Sequence, residues 1–490
     1  MMSLPQHQTG GVCRLSISEN REKNKINIRE IERTIFLAAL CAGRSAMTEY
    51  LKAQDDALAV TRDRKRYRDK GKRRTVLKTV LGEVEINRRV YETENEAGRK
   101  IHIYLLDEAL GIDTPGQISP MLSELVATAA CESTYRESAR QISELTGQTI
   151  SHQTAWAITQ ETGDRVRARE EALANKAQQN EGTGELESKI LYEEADGIWL
   201  KLQGKDRKAY GSSKEMKAAI AYSGVKQNGG RRRLADKVAC AGFEGVEDFI
   251  RHKEGVIASV YRVDEIDLRI LNGDGANWIS THKDEVAIYQ LDPFHRNRSI
   301  REYVNDPELQ DLMIDLLYAK DIDKLLAVIE ASVNSTLEPD EQEKRQRLLS
   351  YFSNNKEGLV PYYMRGEKIP PVNDGLAPAR CGSMESNIFT LIGNRMKGRR
   401  ACWSVSGAGN LAALLCLKHT GRLPAVLNSL GPIVQVDAEP TAVGFSAHKV
   451  PERVGKGYNG FKHAAFPNMP SIKELMGMKS LSKMPFLAGS

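Results

Sequence analysis

The order of apolar runs between Lys189 and Leu291 constrains this chain more than any other feature. Ile190–Gln203 reads as a strand, Lys217–Val225 as a second and Arg233–Cys240 as a third. Val246 to about Val260 has helical spacing, Asp267–Leu271 is a fourth strand, and Val286–Leu291 a fifth. Three consecutive strands, a helix, a strand, and a further strand after a helix describe an α/β core on a mixed five-stranded sheet.

The flanks differ in texture. After Asn297 the pattern turns helical. Asp306-Pro307, Asp321 and Glu338-Pro339 each open a helix, which makes 300–380 a helical insertion, and a Pro/Gly-punctuated loop follows from Gly366 to Gly382. Residues 1–25 are polar, and Ile28 to about Val60 suits a helix. Residues 61–90 hold 12 Lys/Arg against 4 Asp/Glu, a surplus of 8, whereas the whole chain has 70 against 65. Thr75–Val80 and Val84–Tyr91 read as a hairpin turning at Leu81-Gly82-Glu83, and a basic arm precedes it. A helix from Ser133 to Leu145, a break at Thr146-Gly147-Gln148, and a helix from Ser151 form a helix–turn–helix pattern, with Arg165–Gly184 as a linker helix. The expected organisation is 1–60 helical or disordered, 61–170 a basic hairpin and helix–turn–helix region suited to DNA binding, 185–299 the first part of the α/β core, 300–380 helical, 381–447 the second part of the core, and 448–490 a flexible basic tail.

Seven scattered cysteines with no C-x-x-C pair exclude a zinc ribbon and point to a reducing cytoplasm. The run Ala401–Leu417 is too short and too polar for a membrane span. Three acids stand out. Asp196 interrupts an apolar strand, Asp274 follows one, and Glu385 opens a helix. Singly, each reads as a turn or cap residue. Together they can converge on Mg²⁺, which favours carboxylate oxygens and substrate phosphate. Strand alternation lets only one of Glu193 and Glu194 share the face of Asp196, and Glu194 is the auxiliary candidate. Trp199, Trp278 and Trp403 read as core.

The ordered set of motifs resembles the DDE transposases of bacterial insertion sequences, the mutator-like kind, and most closely the ISLre type. It comprises Thr75-Val76-Leu77 with Arg88-Arg89-Val90-Tyr91, Leu105–Ile112, Ser151–Ala155, Glu194-Ala195-Asp196-Gly197, Asp274–Ile279, Leu291–His295, Glu385-Ser386-Asn387 and Arg395–Ser404. The resemblance covers about residues 60–425. It implies an RNase H-like core with Asp196, Asp274 and Glu385 as the acids that hold Mg²⁺, Mn²⁺ being able to substitute. It makes Asp292 and His295 the Asp-x-x-His element. For His295, an orienting or phosphate-contacting role ranks ahead of a structural one, and direct ligation comes last. It also implies double-stranded DNA as partner, both terminal inverted repeats and target, a homo-oligomer on DNA, and a cytoplasmic, nucleoid-associated protein. The expected DNA contacts are Arg73, Arg74, Arg88 and Arg89 of the hairpin, His152 and Gln153 of the second helix, and Arg395, Lys397, Arg399 and Arg400 behind the third acid. Two alternatives stay open: a DNA-binding regulator without catalysis, and a nuclease without strand transfer.

Overall fold

The computed structural model describes residues 28–111, 118–280, 287–366 and 368–430. The expectations for 1–25 and 448–490 lie outside them, as do Ile112 and Val286. No helix among the described residues is long and apolar enough to cross a membrane. The chain forms two compact units. Of the described residues, one holds those up to Thr159 together with Leu427–Leu430, and the other is Gln160–Val426.

In the first unit α1 (Ile28–Thr61) packs on an antiparallel sheet of β1 (Arg68–Thr79), β2 (Gly82–Glu94) and β3 (Lys100–Ile103). Strand alternation along β2 buries Val84, Ile86, Arg88 and Val90 on one face, where Leu51, Leu77 and Leu106 of α2 (Leu105–Leu110) complete a core. Arg88 is therefore a correction. It points inward, its Nε lies 2.7 Å from Asp107 and its guanidinium 3.8 Å from the Tyr104 ring centre, so it is not placed to contact DNA. Arg89 is corrected likewise, since Asp55 and Asp56 of α1 hold its Nη1 at 2.7 Å each. Arg73 is exposed, and Arg74 is exposed beside Glu85 at 2.6 Å.

Next come α3 (Pro120–Glu132), α4 (Tyr135–Thr146) and α5 (His152–Gln178). Gly147, at φ +67°, ends α4, and the Ser151 hydroxyl accepts the Thr154 amide at 3.0 Å to start α5. The expected helix–turn–helix start at Ser133 moves to Tyr135 because Thr134 is the cap. His152 and Gln153 are exposed. The stretch read as a linker helix is the continuation of α5, which carries the chain into the second unit.

The second unit is built on a five-stranded sheet in the order β10-β9-β4-β5-β8. Its strands are β4 (Ile190–Lys201), β5 (Ser213–Tyr222), which follows α6 (Gly204–Tyr210), β8 (Val238–Gly242), β9 (Leu268–Gly273) and β10 (Ala287–Leu291). Strand β9 runs parallel to β4 and β10, and β5 is antiparallel to β4 and β8. The mixed five-stranded α/β core read from the sequence is what forms. The third expected strand divides at Asp236, whose φ of +53° breaks the extended backbone. Its first half pairs as β7 (Arg231–Ala235) with β6 (Gly224–Asn228) in a separate two-stranded hairpin.

Helix α7 (Val246–Ala258) covers one sheet face, and the short α8 (Asn277–Ser280) follows β9. The insertion comprises α9 (Pro293–Tyr303), α10 (Pro307–Ala319), α11 (Ile322–Ser335) and α12 (Pro339–Asn354). Asp306 and Asp321 cap α10 and α11 with their side chains, as the sequence predicts. Helix α13 (Met384–Ile388) runs through a π-turn, Phe389–Gly393, into α14 (Asn394–Met396). It is followed by α15 (Val405–His419), which packs on β8, and α16 (Leu423–Leu430). Trp403 is buried and donates to the Met396 carbonyl at 2.9 Å, and Trp278 meets Phe249 edge-on. Trp199 is not core. It is 58% exposed, because the end of β4 outruns its covering layer.

Between α5 and α7, His252 Nε2 lies 3.2 Å from the Glu170 carboxylate. Burial opposes charge on His252, but the hydrogen bond and charge of Glu170 outweigh it and leave its pKa above the usual 6.5. A raised folded-state pKa adds stability that is complete below about 6.5 and is lost as pH rises through the folded value. His252→Gln is therefore expected to cost about 1.5–3 kcal/mol below pH 6.5, the range for a hydrogen bond to a charged group. The gap to wild type should narrow in alkali, and urea titrations at the two pH extremes measure it. A gap that widens with pH would contradict the pairing.

Candidate metal centre

Strand β4 is buried on both faces through its first half, and it carries three acids there. Period-two alternation sends Glu193 to the α7 side, where Lys253 and Arg269 pair with it. Glu194 and Asp196 have a common parity, so both face the side of α9 and α13. Asp196 Oδ1 accepts the Gly197 amide at 2.7 Å, and its Oδ2 lies 3.6 Å from His295 Nε2.

His295 stands in the first turn of α9. Asp292 starts that helix, accepting the amides of Phe294 at 2.8 Å and His295 at 3.2 Å. Glu385 stands in the first turn of α13 and is exposed. One ligand atom from each of Asp196, His295 and Glu385 lies within 4.8 Å of the others. The structure thus joins the first and third expected acids to a histidine ranked last as a ligand.

Asp274 stands beside this triplet. Its Oδ1 accepts the Ala276 amide at 2.9 Å and its carbonyl accepts the Tyr351 hydroxyl at 2.6 Å, which fixes the turn after β9. Burial pushes its carboxyl up, as does the charge of Asp196, while the Ala276 amide and His295 pull it down. His295 is pushed up chiefly by the Asp196 carboxylate 3.6 Å away, against burial, with Asp292 and Asp274 adding to the rise.

Sequence reasoning missed Glu215 of β5. Burial raises its carboxyl, Asp274 and Asp196 raise it further, and Lys217 opposes them. Its side chain lies across Gly197, where a Cβ would collide with its Oε1. A glycine inside a buried strand is the available signal for such a close approach. The charge of Asp196 thus raises both Asp274 and Glu215, so the site gathers negative charge. A divalent cation bound by Asp196, His295 and Glu385 would offset it.

Glu194 organises the surroundings. It is fully buried, and its Oε2 accepts the amides of Gly382 (2.8 Å), Ser383 (2.8 Å) and Met384 (3.1 Å). Those amides converge because Cys381 and Gly382 both adopt positive φ, +60° and +85°. Its Oε1 accepts the Tyr222 hydroxyl at 2.6 Å. Asn272 Nδ2 bridges Glu194 Oε2 at 3.2 Å and Asp292 Oδ2 at 2.8 Å. One buried carboxylate therefore anchors the segment that presents Glu385, a second anchors the helix that presents His295, and Asn272 links the two.

Of the basic residues behind Glu385, Arg395 lies 5.4 Å from the Trp403 ring centre, and Lys397 and Arg400 are exposed. Arg399 falls in the short 3₁₀ turn Gly398–Arg400.

A family model described as "Uncharacterised protein family (UPF0236)" matches residues 21–425. The chain is also similar to a Streptococcus gallolyticus protein described as "UPF0236 protein in vanSb 3'region". The two are 28% identical over 352 residues, which is 70% of this chain and 72% of the relative.

Proposed function

We propose, for a chain that belongs to the uncharacterised family UPF0236, that it is a DNA transposase of the insertion-sequence DDE type. It binds the terminal repeats of its element, cleaves strands at them and joins the freed 3′ ends to target DNA. The observation that carries this reading is the meeting of Asp196, His295 and Glu385, with Asp274 adjacent. They meet on a sheet whose central strand has one parallel and one antiparallel neighbour, the order expected of an RNase H-like core.

Asp196, Glu385 and His295 are the residues that would hold Mg²⁺ or Mn²⁺. When bound, such an ion lowers the pKa of the attacking oxygen and stabilises the leaving one. Asp196 orients the imidazole through Oδ2, and His295 must give up its Nε2 proton before that nitrogen can ligate. Glu385 is exposed, and the exposed Lys397 and Arg400 further along the same helical segment would offer positive charge to phosphates. In the joining step the 3′-oxygen forms a new P–O bond as the target strand's P–O3′ bond breaks. The number of phosphodiesters is conserved, so no external energy source is needed.

The test is purified full-length protein with a duplex carrying the ends of its element, with and without Mg²⁺ or Mn²⁺. Metal-dependent nicking at the ends followed by strand joining is expected. Binding without cleavage would make the protein a regulator, and cleavage without joining a nuclease. A second measurement addresses His295. His295→Ala should lower Mn²⁺ affinity about tenfold or more, read by titration of the free-ion paramagnetic signal. Unchanged affinity with slower cleavage would return His295 to the orienting role.

A further inference from the structure

The β6–β7 hairpin has no part in the centre just described, and its charge is one-sided. Residues 224–235 contain Lys226, Arg231, Arg232 and Arg233 and no acid. All four cations are exposed, and among the described residues none of them is paired with a carboxylate. The hairpin is tied down at its base. Val225 and Ala377 exchange amide hydrogen bonds at 2.8 Å each, and Leu234 and Ala235 are half-buried and buried. Beyond that base it projects as two strands joined through Gly229 and Gly230, at φ +54° and +82°, values that suit glycine.

The register places Lys226 directly opposite Arg233 and Asn228 opposite Arg231. Period-two alternation then gathers Lys226, Arg231 and Arg233 on one face. Like charges directly opposed across a strand pair are destabilising, and a two-stranded ribbon is marginal in water even without them. Among the described residues no carboxylate pairs with these cations to offset the repulsion; a polyanion laid along that face would.

We infer that this hairpin grips the phosphate backbone of the duplex on which the metal centre acts. The inference rests on the DNA reading above. Duplex DNA carries about one charge per 1.7 Å, and arginine forks match phosphate oxygens in pairs. Reach also fits. Asp196 pairs with Ala218 on β5, and Asn228 at the hairpin tip lies ten residues further along the chain. That is at most ~33 Å of extended strand, close to one turn of B-DNA at ~34 Å. The contact therefore falls within about a helical turn of the reacting phosphodiester.

The experiment measures affinity of the full chain for a duplex several turns long, in Ca²⁺, across a salt series. Wild type is compared with a variant carrying Lys226→Ser, Arg231→Ser, Arg232→Ser and Arg233→Ser, and with one carrying Arg231→Lys, Arg232→Lys and Arg233→Lys. Each lost phosphate contact should flatten the log–log salt slope by about 0.9, up to ~2.7 for the three cations of that face in the serine variant. The lysine variant should keep the wild-type slope. Identical slopes in all three, with wild-type cleavage intact, would overturn the hairpin and leave the transposase reading standing. Wild-type protein that binds no duplex would overturn both. Loss of binding to phosphatidylserine vesicles with DNA binding unchanged would assign the hairpin to a membrane surface and overturn the inference.

Discussion

Asp196→Asn is expected to abolish metal-dependent DNA cleavage and leave the protein folded. The substitution is isosteric at a site only 8% exposed, and the Asn Oδ1 can still accept the Gly197 amide. What is lost is the anionic Oδ2 that faces His295 Nε2 and lies within ligand distance of Glu385. Altering a residue that merely supports a metal ligand costs about 10–100-fold. Removing a ligand's charge outright should exceed that and leave no measurable cleavage. DNA binding should persist, because phosphate contacts are made elsewhere. The same variant carries an internal check. Asp196 is the main cause of the raised His295 pKa, so the imidazole should titrate at lower pH in the variant. A proton NMR titration reads this directly. Wild-type cleavage by Asp196→Asn would remove Asp196 from the centre.

Glu194 is the second position of large effect, as a positioning residue rather than a ligand. Glu194→Ala would leave the amides of Gly382, Ser383 and Met384 and the side chains of Tyr222 and Asn272 without their shared acceptor. Each buried donor left without an acceptor costs about 1–3 kcal/mol, so this variant should be hard to purify folded. Glu194→Gln separates support from stability. Its single carbonyl oxygen can serve the three amides while its NH₂ donates to the Tyr222 oxygen. It should fold, yet lose about 10–100-fold in cleavage as the anchor for Glu385 loosens. A double-mutant cycle distinguishes anchoring from a general effect. In a Glu385→Gln background, Glu194→Gln should change Mn²⁺ affinity little, because the ligand it positions is already gone. Full additivity would show that Glu194 acts independently of Glu385.

Much of the second unit is legible in the sequence because its signals are local. Strands β4, β9 and β10 are apolar runs. Asp306 and Asp321 announce their helices by capping chemistry, and Gly147 and Ser151 mark the turn before α5. What escaped depends on pairing or parity. Arg88 has the parity of Val84 and Ile86, so alternation alone could have turned it inward, yet its positive charge suggested a surface role. The run Arg231–Arg233 has no apolar alternation, and only the pairing with residues 226–228 makes it a strand. The entry of His295 into the centre depends on α9 starting at Pro293, directly after β10. No spacing rule predicts that an imidazole there meets Asp196 while Asp274 stands aside.

The bonds between Glu194 and the amides of Gly382–Met384 also impose an order on synthesis. They span 188 to 190 residues of chain. At roughly 5–20 residues per second, a ribosome needs about 10–40 s to deliver those amides after Glu194 is made. Throughout that interval the nascent strand carries a carboxylate whose partners do not yet exist, and Glu385 arrives in the same short segment. The hairpin of β1 and β2 and the helices α1 to α4 precede all of this. A growing chain can pair β1 with β2 long before Glu385 can reach Asp196 and His295, so that meeting of side chains is among the last contacts the polypeptide makes.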